Sequence, residues 1–294
     1  MTKEKLNKIL EKHKHWLKAD CEGIKADLSY TNLQGADLSG VDLHSANLNF
    51  ADLSYADLTD VDLRDTNLYG ANLYKANLRG ARLSDTYLSK TNLRDAKLCN
   101  ADLRYANLSF ANLSDADLSN ANLCGADLSY TSLFGALLYC TNLQNTDLSY
   151  ADLSFAKLLD TELKDANVYD TDFLHANITS AKNIPFVPYV CPDTGSFIGY
   201  KKAGCMIVKL EIPEDAKRLS ATSRKCRCDK AKVLGIYDYE HNLLKVKEVS
   251  SDKDKNFIYQ VGKTVEVKDF DEDRWHECST GIHFFINFEE AVRY

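Results

Sequence analysis

From Leu28 to Leu163 every fifth residue is Leu, twenty-eight in succession, and Val168, Phe173 and Ile178 continue the series. Two places before each of these sits a small residue: Ala twenty times, Thr nine times and Val twice, from Ala26 to Ala176. Residues 26–180 are therefore 31 uninterrupted five-residue units. A helix repeats every ~3.6 residues, so a spacing of five would smear Leu around its surface. In an extended segment alternate side chains share a side, which puts the Ala and Leu of "ADL" together and the Asp opposite. The two residues after each Leu must then turn the chain, or the next Ala would point outward. The pattern predicts a coil of short extended sides and corners, with Leu and Ala filling a narrow interior.

The residue between the two inward positions is Asp twelve times and Asn twelve times. Both are poor strand formers that stabilise tight turns by hydrogen-bonding nearby backbone. Ser, Gly, Asp and Tyr dominate the two corner positions. This pattern resembles the pentapeptide-repeat family, with its consensus A(D/N)LXX. The resemblance implies a mainly β protein built on a right-handed, four-sided parallel β-helix with four units per coil, about eight coils in all. Residues twenty apart then stack, so Leu28, Leu48, Leu68, Leu88, Leu108, Leu128 and Leu148 would form one interior column. At about 4.8 Å per coil the rod is roughly 37 Å long. Arg82, Tyr87, Lys97, Ser132, Leu137 and Lys157 depart from Asp/Asn and are expected to alter the surface only.

A raw end of such a coil exposes Leu and unpaired backbone. Leu6, Ile9, Leu10, His13 and Leu17 fall on one helical face, so residues 3–18 are read as an amphipathic helix closing the first coil, with His13 assigned to packing. The period stops at "SAKNIPFVPYV", and the domain at the far end is expected to close the coil there. The expected division is 1–25 for the capping segment, 26–183 for the β-helix and 184–294 for a small β-rich α+β domain. In that last part "CMIVKLEI", "KAKVLGIYDY", "LLKVKEV", "FIYQV", "KTVEV" and "GIHFFI" read as strands, and "NFEEAVRY" as a short helix. With "RKCRCDKAKVLGI" and "DEDRWHECSTGIHFFINFEEAVRY", this part resembles an uncharacterised domain found behind pentapeptide arrays in bacterial and phage proteins. That resemblance implies no activity and no site residues.

Charge adds a contrast. The formal net charge is −7, yet residues 26–180 alone hold ten Lys/Arg against 20 Asp and one Glu, while residues 1–25 are basic and the remainder is nearly neutral. No apolar run approaches the ~20 residues that span a bilayer, and the N-terminal residues lack the apolar core of a secretory signal. Nine cysteines with no C-x-x-C pair suit a reduced, cytoplasmic chain.

Candidate chemistry is sparse. Cys226 and Cys228, with Cys191, Cys205, Cys278, His276 and His283, could supply soft metal ligands. Zinc sites usually bring pairs at C-x₂₋₄-C spacing, so the reading is buried structural thiols and no metal. Asp273, His276, Cys278 and His283 could make a cysteine nucleophile with its base, but His283 alternates with Ile282 and Phe284 as a strand residue would. No phosphate-binding glycine loop occurs. The expectation is a non-enzymatic protein with no cofactor and no catalytic residue.

One corner of the coil carries Tyr30, Phe50, Gly70, Lys90, Phe110, Tyr130 and Tyr150, with Tyr55, Tyr105 and Phe155 on other corners. Tyr30, Phe50, Phe110, Tyr130 and Tyr150 form the candidate interaction surface. They can equally cover backbone by stacking on one another. The expected function is a scaffold: an acidic rod that presents surface to a protein partner of unidentified nature, with the C-terminal domain as adaptor. The alternative comes from resemblance to gyrase-protecting pentapeptide proteins, rods whose shape and charge mimic DNA and occupy type II topoisomerase. Duplex DNA carries one charge per about 1.7 Å, and interleaved Arg64, Arg79, Arg82, Arg94 and Arg104 dilute the charge of this rod. Direct nucleic-acid binding is not expected of an acidic rod.

Overall fold

The computed structural model describes residues 1–185, 191–220, 225–273 and 279–294. The chain separates into two compact units, Met1–Phe186 and Val187–Tyr294.

In the first unit, residues twenty apart are neighbours. Parallel bridges run from Asp27↔Asn47 to Glu162↔Lys182 in steps of five residues, all with the same stagger. Twenty residues are four units, so each unit forms one side of a four-sided coil. The Leu28 N–H donates to Asn47 O (2.7 Å), and the Asn47 N–H donates back to Ala26 O (3.0 Å). Repetition of this exchange pairs the backbone along the coil, as burial requires.

The corners are turns in which the third residue is left-handed. Thr31 N–H donates to Leu28 O across the first of them (3.3 Å), with Tyr30 at φ 55°. Positive φ recurs at every fifth residue from Tyr30 to His175, and only six of these positions are Gly. A type II turn needs positive φ at this position. Asp and Asn stabilise the corner from the side before it: Asp27 Oδ1 accepts from the Ser29 N–H (3.1 Å) and hydroxyl (2.7 Å). The same side chains also form ladders between coils, as where Asn47 Nδ2 donates to Asp27 Oδ1 (3.0 Å).

The interior is filled by the stacked Leu and small residues. Leu28, Leu48, Leu68, Leu88, Leu108, Leu128 and Leu148 are all buried. A buried Thr hydroxyl would be costly without a partner, yet each has one. Thr66 donates to Leu43 O (2.8 Å), Thr131 to Leu108 O (3.0 Å) and Thr171 to Leu148 O (2.8 Å). At the last coil Phe173 is buried, whereas Ile178 is only half-buried.

Helix α1 (Lys3–Leu17) begins at Thr2, whose hydroxyl accepts from Lys5 N–H, and carries Glu4 in its first turn and Lys14 and His15 in its last. These charges complement the helix dipole. Leu6 and His13 are its buried residues. Ala26 N–H donates to His13 Nδ1 (3.1 Å), Ile24 N–H to Lys12 O (3.1 Å), and the terminal ammonium to Asn32 O (3.1 Å). The helix is thereby tied to the first coil. Gly23 lets the connecting segment pass the helix, since a Cβ there would lie 2.3 Å from Trp16 N.

The second unit is an antiparallel sheet with a short helix. Its strands are β1 (Phe197–Ala203), β2 (Met206–Ile212), β3 (Arg218–Ser220), β4 (Lys225–Cys228), β5 (Lys230–Tyr237), β6 (Glu248–Ser250), β7 (Ile258–Gln260), β8 (Thr264–Glu266) and β9 (Ile282–Phe285), followed by α2 (Phe288–Arg293). Seven strands lie in the order β3-β4-β9-β1-β2-β5-β8, and β6 and β7 pair separately. Val208, Leu210, Cys226, Cys228, Val233, Ile282 and Phe284 share one core, while Ile207, Phe288 and Ala291 form another.

One expectation needs correction. "LLKVKEV" supplies only its end to β6, and Leu243 and Val246 are exposed. A turn held by Asp238, whose carboxylate accepts from the Glu240 and Asn242 N–H groups, precedes this run. Strand β1 lies outside the runs read as strands, because its Gly and two Lys hide the alternation. It forms because β2 pairs along its whole length, with β9 on its other side at Tyr200↔Phe285.

Candidate functional site

The left-handed corners decide how the aromatic residues stand. Each ring projects from the fifth position of its unit, one coil apart from the next, so the rings are brought face to face. Tyr30 stacks on Phe50 (centroids 5.1 Å, 21°). Phe110 stacks on Tyr130 (4.9 Å, 5°), and Tyr130 on Tyr150 (4.7 Å, 9°), with Tyr169 edge-on at 5.6 Å. The five remain partly in solvent, from 43% exposed at Tyr150 to 74% at Tyr30.

The column is therefore two stacks and a gap. Phe50 lies over Gly70, where a Cβ would fall 2.5 Å from Phe50 Cε1. Lys90, next in line, turns its ammonium over the Tyr69 ring at 5.6 Å. An open depression of about 540 Å³ lies here, lined by Tyr74, Lys90, Arg94 and Phe110 among others. Among the other corners, Tyr55 meets Tyr74 edge-on (5.5 Å) and Phe155 meets His175 (4.9 Å). A Cβ at Gly125 would lie 2.6 Å from the Tyr105 ring.

The acidic surface is locally neutralised by the interleaved arginines. Asp62 is shared by Arg64 (2.6 Å) and Arg82 (3.2 Å), Asp102 pairs with Arg104 (2.7 Å), and Arg94 lies 3.6 Å from Asp115. Hydroxyls also tune the acids. Ser29 and Ser39 donate to Asp27 and Asp37 and hold both carboxyls below the usual carboxylate range.

In the second unit, Cys278 and His276 lie outside the described residues. Cys226 and Cys228 are buried opposite Phe284 and Ile282, in the same core as Cys191, and burial pushes the Cys228 thiol up. Cys205 is exposed. Among the described residues, no three His, Cys, Asp or Glu side chains converge as a metal site would need. Asp273 offers its carbonyl to Arg227 (2.7 Å), and His283 stands opposite Arg227 on β9.

His283 belongs instead to a feature that the sequence did not single out. It lines a cavity of about 620 Å³ together with Lys201, Lys253, Phe257, Tyr259 and Val267. A smaller one of about 200 Å³ shares Lys201, Ser251, Lys253 and His283 with it, and adds Lys202, Lys225 and Tyr294. Burial, with Lys225, Lys201, Lys253 and Arg227 nearby, pushes the His283 imidazole down to about 3. Burial also pushes Lys201 down to about 8, with Lys253 and Lys225 acting the same way and Asp252 opposing.

Twenty-residue coils of five-residue sides, with Leu inside and Asp or Asn before each Leu, define a pentapeptide β-helix. Residues 24–182 match pentapeptide repeats in eight copies, and the chain belongs to the pentapeptide-repeat family. Residues 187–291 match a family of unknown function, DUF5758. Among solved structures, the chain is similar to HetL of the cyanobacterium Nostoc sp. strain PCC 7120, a protein involved in heterocyst differentiation regulation. The two are 32% identical over 57% of this chain and 91% of that one, with a TM-score of 0.31. A pentapeptide repeat protein of the Arabidopsis thaliana thylakoid lumen is 30% identical over 33% of this chain and 68% of its own (TM-score 0.33). QnrB1, a plasmid-mediated fluoroquinolone resistance protein, is 18% identical over 55% and 86% (TM-score 0.34). These superpositions carry no argument of their own, and the family assignment rests on the repeat. No curated protein matches the chain.

Proposed function

We propose that the protein is a non-catalytic scaffold, an acidic β-helical rod that presents a lateral surface to a protein partner, with the C-terminal unit as adaptor. The observation that carries this reading is the exposed aromatic column. Phe110, Tyr130 and Tyr150 hold one another in parallel stacks, so their outward edges are rigid before any partner arrives. Preorganised aromatic edges lose little conformational entropy on binding and supply most anchors at protein interfaces. The acidic faces serve solubility.

DNA mimicry toward type II topoisomerase is the second reading, favoured by the negative charge of residues 26–180. The arginine pairs on Asp62, Asp102 and Asp115 weigh against it, because a mimic needs an unbroken negative field. Affinity capture from cell extract separates the two readings. The wild type is compared with the Phe110→Ala/Tyr130→Ala variant and with a truncation to residues 1–183. The scaffold reading expects one variant to lose a specific partner, and added rod to leave DNA supercoiling unchanged. Inhibition of supercoiling at sub-micromolar rod, abolished by Asp117→Lys/Asp127→Lys, would replace this reading by the mimic.

A further inference from the structure

The second unit gathers four lysines around one cavity. Lys201 comes from β1, Lys225 from β4, Lys253 from the segment between β6 and β7, and Lys202 follows Lys201. All four line the cavity of about 200 Å³, and Asp252 is the one acidic side chain on its lining among the described residues. The Asp252 carboxylate is engaged elsewhere, accepting from the Gly204 N–H at 2.9 Å with Lys255 at 3.9 Å. Lys202 donates to Val292 O (3.3 Å), and Lys225 to the Tyr294 hydroxyl (3.4 Å). Among the described residues, the Lys201 ammonium makes neither a hydrogen bond nor an ion pair, although the residue is half-buried. Like charges held together at reduced dielectric repel one another, and each loses hydration. Such a cluster is stabilised when an anion enters it.

The adjoining cavity of about 620 Å³ has a different character. Phe257, Tyr259 and Val267 give it an apolar wall, and Lys201, Ser251, Lys253 and His283 connect it to the cationic one. Its acids Asp254, Glu266 and Asp269 are balanced by Lys201, Lys253 and Lys268, and Lys201 and Lys253 stand where the two cavities meet.

We propose that the C-terminal unit binds a small molecule carrying a phosphate monoester. Its phosphate is seated among Lys201, Lys225 and Lys253, and its apolar body lies along Phe257 and Tyr259. A dianion suits this site better than a single carboxylate, because several ammonium groups converge and a planar carboxylate offers two oxygens where a phosphate offers three. The Ser251 hydroxyl, on the lining of both cavities, can donate to a remaining oxygen. This site is separate from the aromatic column, so its test does not depend on the scaffold reading.

The test titrates the full-length protein with phenyl phosphate, inorganic phosphate, benzoate and phenol at low salt, using calorimetry. Phenyl phosphate should bind most tightly, inorganic phosphate more weakly, and benzoate and phenol weakest of all. Lys201→Met should weaken phenyl phosphate about tenfold or more, the loss expected for one charge-assisted contact. Should that variant fail to fold, Lys253→Met on the exposed segment is expected to weaken it severalfold and to reduce its salt dependence. No heat from either phosphate at millimolar concentration would overturn the proposal. So would binding unchanged in a folded variant, or benzoate binding as tightly as phenyl phosphate.

Discussion

Tyr130 stands at a left-handed corner, φ 57°, and stacks on a ring above and a ring below. Its replacement by Ala keeps the strained backbone and removes both stacks. At about 0.5–1.5 kcal/mol for each aromatic pair, Tyr130→Ala should destabilise the β-helix by about 1–3 kcal/mol. Tyr130→Gly removes the same stacks but also relieves the left-handed conformation, which costs an L-residue about 1–2 kcal/mol. The extra freedom of Gly in the unfolded chain returns roughly 0.4–1 kcal/mol of that. Tyr130→Gly should therefore be the more stable variant, by about 1 kcal/mol or somewhat less. In a helix or strand interior the order is the reverse, with Ala ahead of Gly by roughly 0.5–1 kcal/mol. Urea denaturation followed by far-ultraviolet circular dichroism gives the ranking. A Gly variant less stable than the Ala variant would refute the corner geometry. A Tyr130→Ala protein as stable as wild type would show that the column contributes nothing to folding, leaving partner binding as its only role.

Leu108→Asp would bury a charge at a position with no solvent contact and should cost several kcal/mol, whereas Asn107→Asp should be nearly neutral. The Asn107 oxygen only accepts, from Ser109 and Ser89, and a carboxylate does the same; equal losses in thermal denaturation would contradict the five-residue frame. Deleting residues 1–20 uncovers the first coil and should lower the melting temperature markedly or cause aggregation, while an unchanged soluble monomer would show that α1 is no cap. Acid should loosen that cap. Burial lowers the His13 pKa from its ordinary 6.5, so the unfolded chain takes the proton first, and stability present above about pH 6.5 falls as pH drops through the folded value. Protonation at Nδ1 would also remove the acceptor of the Ala26 N–H. The protection factor of the Ala26 amide, its exchange rate relative to the intrinsic rate at each pH, should fall in that window, and an unchanged protection factor would contradict the assignment.

The coil was legible because its interior is one narrow slot repeated, where only Leu and a small residue fit. The corner conformation was not. Six glycines hint at positive φ, but Tyr130 or Phe110 in the same place gives no such signal, since bulky residues ordinarily avoid it. In the second unit, strands that alternate, such as β2 and β5, could be read directly. Strand β4 could be foreseen only as a shared face for Cys226 and Cys228, because Lys225 and Arg227 are buried beside them. The cationic cavity was hidden for a different reason. Lys201, Lys225, Lys253 and His283 lie on separate segments, and only the sheet order β4-β9-β1 brings three of those segments side by side.

The account of the β-helix depends on residues twenty apart being neighbours, and a disulfide measures that directly. The Ser89 and Ser109 hydroxyls lie 3.3 Å apart in successive coils, within reach of a bond between Cys side chains. Ser89→Cys/Ser109→Cys should close on mild oxidation into a monomer whose cross-linked peptides are found by mass spectrometry. Ser89→Cys/Ser114→Cys, offset by one further side of the coil, should stay reduced. Ready closure of the second pair, or failure of the first with both thiols accessible, would contradict the four-sided coil.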